Sequence, residues 1–139
     1  LTELARELGV EKDVDFLTKV TDAELNQLYD NASVFVLTSV NMNFHFEGFG
    51  MVFLEAAAHG VPSVGTLGNG IADAVENGAT GILVPQKDPA ATERAINSIL
   101  SDPERAKRMS DRAREFAREH GIPHLVACYK RLCDEIFDT

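Results

Sequence analysis

Four short apolar runs, Val14–Leu17, Ser33–Thr38, Val61–Gly65 and Gly81–Val84, each give way to a segment with helical spacing. Apolar runs of this length without polar alternation suit strands covered on both faces. Their regular alternation with helices predicts an α/β chain, a parallel sheet with helices on both faces. Right-handed crossovers then bring the loops that follow the strands to one edge of the sheet, the edge where open α/β folds take ligands. Those loops are Thr18–Val20, Ser39–Gly48, Thr66–Gly70 and Pro85–Lys87.

The helix boundaries are written in local chemistry. Leu1, Leu4, Ala5 and Leu8 share one helical face that stops at Gly9. Thr21-Asp-Ala-Glu24 is a capping box, and the helix it opens is expected to turn Leu25, Leu28 and Tyr29 inward. A helix from about Phe49 to His59 ends at Gly60, with Pro62 just beyond, and a short one from Ile71 to Glu76 closes at Asn77-Gly78. Asp88 caps a helix with Pro89 at its first position, and Ser101-Asp-Pro103 separates it from a charged helix, Glu104 to His120. Gly121-Ile-Pro123 precedes a terminal helix through Phe137.

With 139 residues, 45% hydrophobic and 25% charged, the chain fits one folded domain rather than a disordered segment. No stretch approaches the roughly 20 apolar residues of a membrane-spanning helix. Thirteen Lys and Arg against 22 Asp and Glu leave a net charge of −9. That balance speaks against nucleic acid as a partner, which needs a cationic stripe, and against docking on anionic membrane. Residues 105–118 mix both signs at helical spacing, as a solvated face does. Cys128 and Cys133, five apart, fit neither an intrahelical disulfide nor a zinc pattern and read as small apolar residues of a reducing compartment, the cytoplasm. An opening Leu already in helical rhythm suggests a piece of a longer chain.

The chemistry concentrates in Phe46-Glu-Gly-Phe-Gly-Met-Val-Phe-Leu-Glu-Ala-Ala-Ala-His-Gly60. Its helix is apolar nearly all round, so it should be buried, and Glu55 within it needs hydrogen bonds to offset its burial. At its start, Gly48-Phe49-Gly50 lets the backbone come close to a ligand, and the free first-turn amides favour phosphate or an anionic sugar oxygen. Glu47 beside that anion site could hold sugar hydroxyls or steady a cationic sugar centre. Two readings stay open: a ligand cleft, or Glu47 complementing the helix dipole while Glu55 ties down a loop. Leu67-Gly-Asn-Gly-Ile71 repeats the loop-to-helix logic, as a cradle or as a plain turn. His45 reads as a surface loop residue and His59 as a dipole partner at a helix C-terminus. No nucleophilic triad or metal-ligand cluster is visible, so the metal set is empty.

Glu47 and Glu55, seven residues between them within Phe-Glu-Gly-Phe-Gly-Met-Val-Phe-Leu-Glu-Ala, resemble the paired-glutamate motif of retaining glycosyltransferases of family 4, the glycosyl transferases group 1. Tyr29-Asp-Asn-Ala-Ser-Val-Phe-Val-Leu-Thr-Ser39 resembles that family's strand ahead of the motif. His59-Gly-Val-Pro-Ser-Val64, Asn77-Gly-Ala-Thr-Gly-Ile-Leu-Val-Pro85 and Asp88-Pro89 resemble its later landmarks, in order. The resemblance implies a Rossmann-like domain, the C-terminal donor-binding half of a GT-B enzyme, over residues 1–139. It further implies that the acceptor domain and the first strand or strands of this domain lie outside the chain. The implied reaction moves a hexose from a UDP- or GDP-sugar to a hydroxyl acceptor, a sugar or glycolipid held by the other domain, with no tightly bound cofactor. Glu47 would act at the reaction centre. The backbone at Gly48, Phe49, Gly50 and Met51 would bind sugar hydroxyls and donor phosphate, Glu55 the ribose hydroxyls, and Val20 would lie near the base. A cytoplasmic parent able to associate with membrane fits this picture.

The chain departs from the family at Gly68-Asn69-Gly70-Ile71-Ala72-Asp73, where two adjacent glycines and Ile-Pro-Glu are usual. Asn tolerates left-handed backbone angles, so the loop shape is expected to survive, without a role for Asp73. Asn41–Phe46 is longer than the common version. The family's Arg and Lys for the diphosphate lie upstream of a segment like Leu1–Gly9, and Lys19 and Lys87 do not match them. The rival reading is a non-enzymatic α/β binding or protein-interaction module. The two differ at Glu55, which faces an open cleft in a nucleotide-sugar site and is bonded inside the protein in an interaction module.

Overall fold

The computed structural model describes residues 1–42 and 47–137. Three parallel strands, β1 (Phe35–Leu37), β2 (Ser63–Thr66) and β3 (Gly81–Val84), pair in the order β1-β2-β3, with Phe35 opposite Ser63 and Ser63 opposite Gly81. The helices are α1 (Thr2–Glu7), α2 (Asp22–Asn31), α3 (Met51–Ala58), α4 (Ile71–Ala74), α5 (Pro89–Leu100), α6 (Pro103–Glu119) and α7 (Ile122–Phe137).

The period-two alternation of strands builds one core on each face of the sheet. Val64 and Val84 pack with Ala95, Ile99 and Met109 of α5 and α6. On the other face Phe35, Leu37 and Leu83 meet Phe53, Ile71, Ala74 and Val75 from α3, α4 and the turn after it. Gly65 and Gly81 point to that second face, where a Cβ would press on Ile71 and Phe53 at the first and on the Ser63 carbonyl and Val75 at the second. Small residues in these registers therefore let α3 and α4 lie close to the sheet. Helices do cover both faces, as expected.

The predicted caps form as written. Thr21 Oγ1 accepts from the Glu24 amide while Glu24 Oε2 accepts from the Thr21 amide at 2.8 Å. Asp88 accepts from the Ala91 amide at 2.8 Å as expected. Asp102, placed by the sequence only in the break between two helices, caps the next one by accepting from the Arg105 amide at 2.9 Å; each precedes a proline in the first turn.

Four expectations need correction. Val14–Leu17 forms no strand: it has no ladder partner among the described residues, and Val14, Phe16 and Leu17 are exposed. An extended segment without a partner leaves its backbone to water. β1 is not covered on both faces, since Val36 is 39% exposed. Of the residues expected inward on α2, only Tyr29 is buried; Leu25 and Leu28 are exposed, as are Leu1, Leu4 and Leu8 around the buried Ala5. Finally, α3 buries one side only, through Phe53, Ala56 and Ala57, and leaves Met51, Glu55 and Ala58 exposed. An exposed Met51 and Ala58 are ordinary, because more than half of a folded protein's surface is apolar and an apolar pattern alone does not require burial all round.

Candidate functional site

The loops after β1, β2 and β3 converge at the edge where the strands end, and side-chain and backbone hydrogen bonds lock them together. Buried Thr66 donates from Oγ1 to the Ser39 carbonyl at 2.6 Å. Asn41 takes Gln86 Oε1 with its amide at 2.8 Å and donates from Nδ2 to the Gly68 carbonyl at 2.7 Å. Gln86 Nε2 returns to the Leu67 carbonyl at 2.8 Å. The sequence reading missed Ser39, Asn41, Thr66 and Gln86. Their signal was positional, a polar side chain at or just past the end of an apolar run.

Glu47 emerges half-buried from this lattice. Ser39 Oγ donates to its Oε2 at 3.2 Å, and its carbonyl accepts from the Gly70 amide at 3.0 Å. Gly70 has an ordinary φ of −70°, so its requirement for glycine is steric: a Cβ there would fall on the Gly48 carbonyl. The left-handed residue of this loop is Gly68, φ +83°, whereas Asn69 is not left-handed. Asn69 instead accepts from the Ile71 amide and donates to Thr66 Oγ1, both at 3.2 Å. The expectation for Asn69 is thus corrected: it shapes the loop through its side chain, a local turn that also serves the start of α4. Asp73 is exposed on α4.

Gly50 is buried at φ +75°, ψ 58° and caps α3 with no side-chain bond. A Cβ would crowd Phe53 at 2.9 Å, so both the angle and the space select glycine. The first-turn amides of Met51 and Val52 have no helical acceptor and point past Gly50 toward the loop edge. Phe49 packs against the Phe53 and Ile71 core, and with Met51 it also borders an apolar hollow of about 640 Å³ shared with Leu54, His120, Ile122 and Leu125.

Glu55 sits four residues into α3, about 6 Å along the helix from Met51. It is exposed and accepts one hydrogen bond, from Tyr29 Oη at 3.2 Å. The cost assigned to its burial therefore disappears. With Tyr29, His59, Asp22, Leu25 and Asn26 it lines an open hollow. His59 stacks on Tyr29 with ring centroids 5.4 Å apart and sets Nδ1 against Asp30 Oδ1 at 2.7 Å. Burial, then the Glu55 charge and hydrogen bond, push the Tyr29 phenol above its ordinary value. Val20 is exposed in a different hollow with Lys19, Gln27, Leu28 and Asn31, on the other flank of α2. The structure thus gathers Glu47, Gly48 and Gly50 with Gly70, places Glu55 on the same helix, and leaves Val20 apart. His45 lies outside the described residues, and so does most of the long loop segment, residues 43–46.

Residues 1–116 match the family described as glycosyl transferases group 1. A D-inositol 3-phosphate glycosyltransferase of Corynebacterium urealyticum is 38% identical over 136 residues, 95% of this chain and 31% of that protein. The sucrose-phosphate synthase of Thermosynechococcus elongatus superposes with a TM-score of 0.82 at 28% identity, over 98% of this chain and 33% of that one. HepE of Anabaena, solved in complex with UDP-glucose, gives 0.74 at 26% identity, over 84% and 30%. The chain spans about a third of the length of these relatives. Taken with the glycine-built loop edge and the two glutamates of α3 and its approach, these matches establish that the chain belongs to the glycosyl transferases group 1 family.

Proposed function

We propose that this chain is the donor-binding, C-terminal part of a retaining glycosyltransferase of family 4, moving a hexose from a UDP- or GDP-sugar to a hydroxyl acceptor. The observation that carries the reading is the packing of Gly70 on Glu47 and Gly48, which presents a carboxylate and the open start of α3 at one edge. UDP-glucose bound to the related HepE supports a nucleotide-sugar donor. Glu47 would stabilise positive charge at the anomeric carbon as the glycosidic bond to the diphosphate breaks. The amides of Gly50, Met51 and Val52 would take donor phosphate or sugar oxygens, which a helix start favours electrostatically. Glu55 is exposed and, among the described residues, is bonded by Tyr29 at Oε2, which leaves Oε1 to accept ribose hydroxyls. The same exposure speaks against the rival interaction module, which needs Glu55 bonded inside the protein. Val20 lies across α2 from the Glu55 hollow, so it would contact the base only if the Leu17–Val20 segment moves toward α3 on nucleotide binding.

The edge of β1, unpaired among the described residues, and the exposed apolar side chains of Val14, Phe16 and Leu17 support a partial domain whose remaining strands would belong to a longer parent. That parent would carry the acceptor site, the cations for the diphosphate, and any membrane association of a cytoplasmic enzyme. Among the described residues no helix is long and apolar enough to cross a membrane. Titrating UDP, GDP and ADP against the chain while following amide resonances tests the proposal. Saturable shifts at residues 47–55 and 68–71 are expected, and their absence with all three nucleotides counts against it.

A further inference from the structure

Arg105, Arg108 and Arg112 stand three and four residues apart on α6, which aligns them on one face of the helix. That face closes a hollow of about 450 Å³ whose other wall is the Gly78–Ala79 turn, with the buried Met109 at its base. A Cβ at Gly78 would meet nothing within 4 Å, so this wall of the hollow carries no crowding.

The three guanidiniums are not equivalent. Arg112 is saturated: Nη2 and Nε donate to Glu76 at 2.6 and 2.7 Å, and Nη1 and Nη2 reach Glu119 at 3.2 and 3.1 Å. The guanidiniums of Arg105 and Arg108 have no partner among the described residues, although Glu104 and Asp111 share their helix. Asp111 is taken by Lys107 at 2.7 Å. In a chain of net charge −9, two neighbouring arginines with no ion-pair partner among the described residues leave their guanidinium donors open at the hollow. A guanidinium offers a planar fork of donors that matches phosphate oxygens, and two of them match a dianion.

We propose that Arg105 and Arg108 form a second binding site, for a small phosphate-bearing anion such as a phosphomonoester. The site lies at the edge where strands begin, since β3 starts at Gly81, two residues beyond Ala79. The loops of Glu47, Gly70 and Gln86 lie at the opposite edge, so the two sites are separate. Glu76, Glu104, Glu115 and Glu119 around the arginines repel an extended anionic surface, which favours a discrete ligand that enters the hollow.

The test is a titration of the 139-residue chain with inorganic phosphate and with glycerol phosphate at constant ionic strength. Readouts are the arginine Nε–H resonances and the Gly78 and Ala79 amides. Saturable shifts of Arg105, Arg108 and the turn are expected with both, weakened tenfold or more in Arg105→Gln/Arg108→Gln. Because Arg108 is exposed, Arg108→Glu alone keeps the fold and should abolish them. Shifts that persist in the variants, or that sodium chloride reproduces, overturn the proposal. So does binding confined to phosphatidylglycerol vesicles with none to the soluble phosphates. No nucleotide and no sugar transfer is involved, so the result is independent of the donor-site reading.

Discussion

The amide of Gly70 donates to the carbonyl of Glu47 at 3.0 Å, and no atom fits between Gly70 and the Gly48 carbonyl. The loop after β2 is therefore the support on which the loop after β1 rests, and the orientation of Glu47 depends on a residue 23 positions later in the chain.

Gly70→Ala should separate these loops, because backbone rather than a movable side chain opposes the new methyl group. The hydrogen bond to Glu47 is lost and the start of α4 shifts, which should destabilise the fold by about 2 kcal/mol. Thermal unfolding checks the stability, and nucleotide titration should show affinity falling well beyond what partial unfolding explains. Gly48→Ala is the control: a Cβ there meets nothing within 4 Å, so its stability should be near that of the parent sequence.

The two tyrosines report on the other glutamate. Tyr29 is buried against Glu55 and its phenol is raised above 10, chiefly by burial and next by the Glu55 charge, whereas Tyr129 is 61% exposed. A raised phenol means the folded state holds this proton more tightly than the unfolded one. Its stabilising contribution is thus complete below pH 10 and is lost as pH rises through the folded value. The chain has no Trp, so absorbance of ionised phenol at alkaline pH is readable in Tyr129→Phe, with Tyr29 the only titrating ring. Glu55→Gln should lower the Tyr29 midpoint while leaving it above 10, because burial is the larger cause. An unchanged midpoint would show that the 3.2 Å contact does not persist in solution.

What the sequence disclosed was what neighbours in the chain decide. Thr21 with Glu24, Asp88 with Pro89, and Asp102 with Pro103 mark helix starts because cap and amide lie within three residues. The two cores followed from alternation along β2 and β3. Val14–Leu17 has the composition of a strand, yet a strand also needs a partner, which composition does not encode. Leu25 and Leu28 failed for the same reason: their exposure depends on what packs against α2. In the site, the glycine-flanked start of α3 was legible, but the steric need for Gly70 arises from Gly48 across a fold contact. Asn69 was given a backbone role because Asn tolerates left-handed angles, and it does its work through the side-chain amide instead.

The 139-residue chain alone should fold and show no sugar transfer. It spans 31% of its Corynebacterium relative, and the proposed acceptor site and diphosphate cations would lie in the remainder. Those groups should supply most of the transition-state stabilisation, and binding without them gives no turnover. A radiolabelled-donor assay checks this: transfer above a protein-free control would mean that the active site has been misplaced.

Glu47→Gln and Glu55→Gln in the full-length parent should differ in kind. Glu47 is half-buried and held by Ser39, so the amide keeps the shape and one hydrogen bond while removing the charge. If that charge opposes the positive charge of the transition state, kcat should drop by ~10²-fold or more with KM little changed. Glu55 is exposed, and its carboxylate would hold ribose hydroxyls equally in ground and transition states. Its amide variant should therefore raise the donor KM by a factor corresponding to about 1–3 kcal/mol, with kcat preserved. Ser39→Ala should resemble a mild form of Glu47→Gln, since it frees the carboxylate to turn without removing its charge. Both glutamine variants should melt near the parent temperature, because neither carboxylate is buried in a core cluster. Early melting with unchanged kinetic constants would instead make both glutamates structural and withdraw the chemical support for the proposed reaction.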